Sequence, residues 1–415
     1  MLTPHALALA VAAAAPQTAD ARLAALEREL AAQRDRIAEL ERQLAARQEP
    51  SRTQPEAAPS IAAVAAASSS PAAPPVPRPV AQPVLAVSGD LRVREEWNRG
   101  AGRDRARAVL RARLRATYRG PSGFSAGAQL ATGDPDDPNS ADVTLGNFAD
   151  DLMVSLDQAW IRYQHGGVAI SAGKFPLPFA RTDMVWDGDV SPQGLGATLS
   201  MPLAGLRTDA RLLWFAVDES AGGRDSDMLG GQLSLATPAD APVTARLAGS
   251  YYHYRLNSVA GADAGDFRGN LVSGGRYRSQ FHLAELLATV EYRGLGDRWP
   301  VSLTGDVVRN FGATVPGDSG IYAELAAGRA ARAGDWRMAY QFGRVEVDAV
   351  LAAFSHDNID LSTNYLLHGL VLSHIPRSGL AVELDWYRYR PLDPAYTTGS
   401  LAWRDRVRLN LMVSF

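Results

Sequence analysis

"RDRARAVLRARLRATYR", residues 103–119, forces a choice both of secondary structure and of solvent. On a helix, Arg105, Arg107, Arg111, Arg113 and Arg115 advance in steps of two and four, which scatters charge around the axis and leaves no apolar stripe. On a strand the same stretch divides cleanly. Arg105, Arg107, Arg111, Arg113, Arg115 and Arg119 take one face, while Ala106, Ala108, Leu110, Ala112, Leu114, Ala116 and Tyr118 take the other. The guanidinium face needs water or counter-charge, and the apolar face needs a protein core or lipid.

Composition narrows the choice. The 415 residues are 46% hydrophobic and 21% charged, enough for a large core, yet they contain no run of about 20 apolar residues that could cross a bilayer as a helix. A net charge of -3 argues against a nucleic-acid binder, whose domains carry a basic excess to neutralise phosphates. Cysteine is absent, which removes disulfide frameworks, thiolate nucleophiles and cysteine-ligated metals. Lys174 is the one lysine among 42 basic residues, so arginine in place of lysine reflects a compositional bias and carries little weight by itself.

The chain divides into four parts. Residues 1–21 hold a short apolar run followed by small residues, with Ala19 and Ala21 in the A-x-A arrangement of a secretory signal, although His5 stands where a basic residue is expected. Residues 22–48 keep a heptad through Leu23, Leu26, Leu30, Gln33, Ile37, Leu40 and Leu44. This predicts an α-helical coiled coil in which Gln33 fixes register, with a lone amphipathic helix on a partner as the alternative. Residues 49–84 are rich in Pro, Ala and Ser and form an extended spacer. From 85 to 415 the texture is alternating strands, sixteen of them between 86–97 and 403–415.

The connections between these strands decide the architecture. "GPSG", "HGG", "PLAG", "TPADAP", "RAGD" and "PRSG" are tight turns, whereas "GDPDDPNSADVTLGNFADD" and 255–277 are long. Long and short alternate, as in an outer-membrane barrel with short periplasmic turns, long external loops, and strands apolar outward and polar inward. The expected fold is therefore all-β, a transmembrane antiparallel β-barrel of about 16 strands behind an N-terminal coiled coil. The last segment, "WRDRVRLNLMVSF", puts Val407, Leu409, Leu411, Val413 and Phe415 on one face and Arg404, Arg406, Arg408 and Asn410 on the other, a closing strand of the kind presented to the barrel-assembly machinery. Trp97, Trp299, Trp336, Trp386 and Trp403 fall near strand ends, where aromatic girdles sit.

At this level the residues resemble a family, the proteobacterial outer-membrane proteins named putative porins, akin to general and phosphate-selective porins. The resemblance covers nearly all of 85–415 and rests on "VSGDLRVREEWN" followed by the arginine-rich strand, "LDQAWIRYQ" (156–164), "AGKFPLPF" (172–179), "WDGDVSPQG" (186–194) and the terminal Phe415. It implies a passive, water-filled, trimeric channel in the bacterial outer membrane, with lipid and lipopolysaccharide around it and no cofactor. It also implies that the third long connection, 176–193, folds inward to narrow the pore.

Closing the barrel makes the last, first and second strands neighbours. Arg92, Arg94, Arg105, Arg107, Arg111, Arg113, Arg115, Arg404, Arg406 and Arg408 are then expected on one inner wall, facing the acidic Asp183, Asp187 and Asp189 of the third connection. Charged walls select ions in a narrow aqueous constriction, which suggests an anion preference. The competing expectation is that Asp90, Glu96, Asp157 and Asp209 pair with these arginines. Short lumen residues such as Ser125, Gly127, Ser302 and Thr304 favour an open pore. The alternative function is a structural anchor whose periplasmic coiled coil tethers the envelope.

Enzymatic readings are weak. "GDSG" (317–320) is followed by Ile321 where a trypsin-like nucleophile segment has a second glycine, and the seven histidines show no H-E-x-x-H spacing. "DPDDPNSAD" lacks the EF-hand order and reads as a solvated acidic loop rather than a calcium or lipopolysaccharide-bridging site. No catalytic, cofactor or metal site is expected.

Overall fold

The computed structural model describes residues 83–415 other than 103, 147 and 263. The expected signal segment, coiled coil and nearly all of the spacer lie outside the described residues.

Period-two alternation builds sixteen long strands. They are β1 (Val84–Arg99), β2 (Arg105–Arg119), β3 (Phe124–Thr132), β4 (Val154–His165), β5 (Val168–Lys174), β6 (Gln193–Leu203), β7 (Leu206–Asp218) and β8 (Ser226–Ala236), then β9 (Val243–Arg255), β10 (His282–Tyr292), β11 (Val301–Asn310), β12 (Ser319–Gly328), β13 (Trp336–Val345), β14 (Tyr365–Arg377), β15 (Leu380–Pro391) and β16 (Arg404–Ser414). Each pairs antiparallel with the next, and β16 pairs with β1 from Asp90 opposite Ser414 to Arg99 opposite Asp405, which closes the barrel. The two-residue strand Val143–Thr144 adds to the outer half of β2.

Seven connections on one rim are short: 120–123, 166–167, 204–205, 237–242, 293–300, 329–335 and 378–379. The eight on the other rim, L1 to L8, are 100–104, 133–153, 175–192, 219–225, 256–281, 311–318, 346–364 and 392–403. β13 stops at Val345, and Glu346 begins L7, where alternation gives way to the run "AVLAAF".

Facing follows the alternation. Leu409, Leu411 and Val413 stand 43%, 48% and 44% exposed on the outer wall, while Arg406, Arg408 and Asn410 between them are 7%, 2% and 1% exposed. The apolar side chains meet lipid and the polar ones meet other protein groups inside. Trp97 and Trp386 flank the outer rim on this wall, and Trp299 and Trp336 the opposite rim. At the seam, the Gly89 and Phe415 N–H groups donate to each other's carbonyls at 3.0 and 3.1 Å, and the Phe415 ring lies across Gly89. A Cβ on Gly89 would stand 2.5 Å from Phe415 Cζ and 2.9 Å from the Arg113 carbonyl oxygen.

Two substitutions test this wall and its seam. Leu411→Arg should cost roughly 2–4 kcal/mol if it lies at the bilayer midplane, the magnitude for arginine on a lipid face there. Gly89→Val should impair closure by steric conflict with the Arg113 backbone. Both should lower the yield of heat-modifiable, folded barrel on electrophoresis, and a normal yield for Leu411→Arg would reverse the facing assignment.

Candidate functional site

Two external loops turn into the barrel. L3 carries Phe175, Phe179, Met184, Val185, Trp186 and Val190, and L7 carries Val350, Leu351, Ala353, Phe354 and Ile359; each of these is buried. Apolar residues at this density in a solvated loop would leave their surface in water, so the loops bury it against each other and against inward residues of the far wall. Trp186 is fully buried at the centre. Its ring stacks on Phe354 at 5.8 Å and 15°, meets Tyr252 edge-on at 5.5 Å, and lies 6.4 Å from Phe179, Phe215 and Tyr254. The loops are also joined through backbone: Asp187 N–H donates to Phe354 O at 2.7 Å, and His356 N–H to Asp183 O at 3.0 Å.

Polar clamps hold the pair in place. Asn270 of L5 donates to the Val347 and Val350 carbonyls at 3.0 and 2.9 Å and accepts from Ala352 N–H at 2.8 Å. Asn139 of L2 donates to Ser355 O at 2.6 Å, and the Thr182 hydroxyl donates to Asp306 of β11 at 2.5 Å. The buried His356 ring lies edge-on to Tyr365, and burial pushes its pKa down to about 4, so it is neutral near pH 7.

The ten arginines expected on one wall do share it, and most are engaged. Glu96 is fully buried and accepts from Arg107 Nε at 2.8 Å and Arg408 Nε at 2.9 Å, with Arg406 Nε at 3.8 Å. Arg408 also donates to Asn358 Oδ1 and Asp357 O, Arg406 to Asn358 O, and Arg404 pairs with Asp360 at 2.9 Å. The β16 arginines therefore grip L7. Arg92 and Arg94 both pair with Asp142 and grip L2. Arg111 and Arg113 each contact Asp90 on the wall and Asp189 at the end of L3, Arg113 at 2.9 and 2.8 Å.

Arg105 and Arg115 form no ion pair among the described residues. Arg115 instead donates to Gln129 Oε1 at 2.5 Å, and Gln129 passes a bond to Asp157 at the same distance. Asp90 and Glu96 are thus the expected counter-charges, whereas Asp209 pairs with Arg207 and Arg211 of its own strand.

Of the three L3 carboxylates, only Asp189 meets the arginine wall. Asp183 pairs with Arg181 of its own loop. Asp187 is buried and accepts from Asp189 N–H at 2.8 Å; burial first, then repulsion from Asp183, Asp357 and Asp189, pushes its carboxyl well above the usual carboxylate range. Asp357 behaves differently. Burial opposes its charge, but Arg408 and the Ser140 hydroxyl at 2.8 Å outweigh burial and hold its carboxyl low.

Sequence reasoning missed L7 altogether, although "AVLAAF" in an external connection is the signal that it folds inward. It also took Gly127 as a mark of open lumen. The Trp160 indole fills that space, and a Cβ on Gly127 would lie 2.4 Å from it. A cavity of 490 Å³ remains between L2, L3, L7 and the wall of β2 to β4, lined by Arg113, Arg115, Gln129, Asp157 and Asp189, with Asp134, Asp136 and Asp137 contributed by L2 and Leu351 and Phe354 by L7. The "GDSG" serine, Ser319, donates to Glu346 and opens β12. Among the described residues, no group of three or more His, Asp or Glu is placed to hold a metal ion.

Trp186→Ala should remove about 3–5 kcal/mol of loop docking, the usual cost of truncating a buried aromatic. Single-channel recordings should then show a larger, noisier conductance with the barrel still heat-modifiable. Asp137 gives a pH test. Burial pushes its carboxyl up to about 6, against the Arg268 charge that lowers it, so acidification through that value removes a negative charge from the cavity. The reversal potential should move toward anions across this pH range, and Asp137→Asn should abolish that step.

Residues 81–268 match the model of the family described as putative porin. Among solved structures, Pseudomonas putida OprB at high pH aligns with a TM-score of 0.53 at 14% identity, covering 80% of this chain and 94% of that one. OmpT lacking loop L8, an outer membrane protein of Vibrio cholerae, aligns at 0.50 and 10% identity, covering 81% and 100%. Salmonella typhi OmpF in complex with daunomycin aligns at 0.50 and 11%, covering 80% and 97%. No curated protein matches the chain. At these identities the structural likeness is one of fold. The chain thus carries the putative porin sequence pattern from residue 81 to residue 268 on a porin barrel, and it resembles the outer-membrane porins in both sequence and fold.

Proposed function

We propose that this chain forms an outer-membrane channel for passive diffusion of small hydrophilic solutes and ions, with a preference for anions, and that it works as a homotrimer seated in lipid and lipopolysaccharide after delivery to the barrel-assembly machinery by its last strand. The preference is carried by one guanidinium and not by the cavity beside β2 to β4 as a whole, whose lining holds more carboxylates (Asp134, Asp136, Asp137, Asp157 and Asp189) than arginines (Arg113, Arg115 and Arg181). Arg115 faces it without an ion pair among the described residues, and Arg113 faces it sharing Asp90 and Asp189 with Arg111. An incompletely neutralised arginine at a constriction attracts anions over about one Debye length, ~8 Å at physiological salt. Arg94, Arg406 and Arg408 act mainly as clamps, since they are all but inaccessible to solvent.

The filled centre of the barrel favours a second reading, a structural anchor whose lumen is packed for rigidity and whose N-terminal segment tethers the envelope. A planar-bilayer recording in a salt gradient separates the two. The channel reading expects conductance with an anion-directed reversal potential that fades as salt rises. Arg115→Glu should move that potential toward cations, and Asp189→Asn should move it further toward anions. A folded barrel without conductance would favour the anchor, and an unchanged potential in Arg115→Glu at low salt would remove Arg115 from the conducting path.

A further inference from the structure

We propose that the outward face of β15 near its external end, together with Trp403 of L8, binds the phosphate of an outer-leaflet lipid headgroup. The proposal rests on the outer-membrane reading and is independent of conduction. Arg388 and Arg390 alternate with Tyr387 and Tyr389, which are 5% and 2% exposed on the inner side, so both guanidinium groups project outward. They converge on one ring: Arg388 Cζ lies 5.5 Å and Arg390 Cζ 5.1 Å from the Trp403 centroid. Arg344 joins the patch through the register, since Leu366 pairs with Arg344 on one side and with Arg390 on the other.

Counter-charge is thin here. Asp405 reaches Arg388 only at 3.7 Å and already accepts the Trp386 indole N–H at 3.0 Å, while Arg344 is paired with Glu346 at 2.9 Å. Arg390 forms no ion pair among the described residues, and its Nε is buried without a hydrogen-bond partner. Two other outward arginines of this rim are satisfied: Arg255 holds Asp227 with two nitrogens, and Arg309 holds Asp318 at 3.1 Å. Two like charges held on one indole with one loose carboxylate form a site that an anion completes.

The anion's chemistry follows from the donors and the surroundings. A phosphate monoester carries about −1.5 to −2 charges at neutral pH, and its oxygens match the planar donor fork of arginine. Toward the bilayer interior the patch continues into exposed Trp386, Leu384 and Leu370, an aromatic step and then an aliphatic wall. This order of charge, indole and aliphatic surface fits a phosphorylated headgroup above its acyl chains, which is why a lipid is assigned in preference to free phosphate.

The test uses the full chain in non-ionic detergent, titrated with lipid A, with dephosphorylated lipid A and with inorganic phosphate, and read by native mass spectrometry and Trp fluorescence. The wild type should bind lipid A at least tenfold more tightly than the dephosphorylated lipid. Arg388→Gln with Arg390→Gln should lose that preference, while Arg309→Gln keeps it. Equal binding of the two lipids by the wild type, which needs no variant to fold, would overturn the proposal. So would an undiminished preference in a heat-modifiable double variant. Displacement of lipid A by millimolar inorganic phosphate would overturn the lipid assignment in favour of a free-phosphate site. Conductance of the double variant should equal that of the wild type, so a failure of the channel reading would appear separately, as absent conductance in both.

Discussion

Every backbone N–H and C=O on the barrel wall must find a partner within the protein, because lipid offers none, and an open sheet edge in hydrocarbon would leave a row of them unpaired. The β16–β1 pairing meets that requirement, and much else depends on it. The seam needs glycine at position 89, where the Phe415 ring and the Arg113 backbone leave no room for a Cβ. It also brings strands from the two ends of the barrel together, which is how Glu96 of β1 comes to accept from Arg107 of β2 and Arg408 of β16.

That convergence concentrates charge, and the charge organises the loops. Removing several guanidinium groups from water costs several kcal/mol each unless carboxylates accompany them. Wall residues supply only part of the compensation, through Asp90 and Glu96; the rest comes from Asp142 of L2, Asp189 of L3 and Asp360 of L7. The arginines are therefore attachment points. On the far side the attachment is apolar, with Trp186 and Phe354 packed against Phe215, Tyr252 and Tyr254. L3 and L7 are held by electrostatics at one edge and by aromatic packing at the other.

The barrel was legible in the sequence because period-two alternation needs no partner to be recognised. The stretch from Arg105 to Arg119 carries its own facing information, and so does the last strand from Arg404 to Ser414. The strand number and the alternation of short and long connections follow from turn residues that are equally local. The interior was less legible, for a physical reason: L7 is defined by contacts with Asn139, Asn270 and Trp186, far away in sequence, and nothing local distinguishes an inward loop from an outward one except its apolar content. The same reason separates the three L3 carboxylates. They look alike in "TDMVWDGDV", yet Asp183 pairs within the loop, Asp187 is buried, and Asp189 alone reaches the arginine wall.

A sixteen-stranded barrel encloses more space than its own side chains can fill, which leaves a water-filled channel unless other chain occupies it. Here the two inner loops occupy the side lined by β7 to β14, where Leu213, Met228, Tyr252, Leu283, Val308 and Tyr365 face inward and offer an apolar surface to cover. The inner positions of β2 to β4 are more polar, carrying Arg113, Arg115, Gln129 and Asp157 beside Trp160, which packs against the same apolar cluster, so apolar loop residues gain less by packing there. Hydrophobic burial draws the loops toward β7 to β14, and the cavity they leave has a polar floor on β2 to β4 and an apolar edge of Phe215, Leu351 and Phe354.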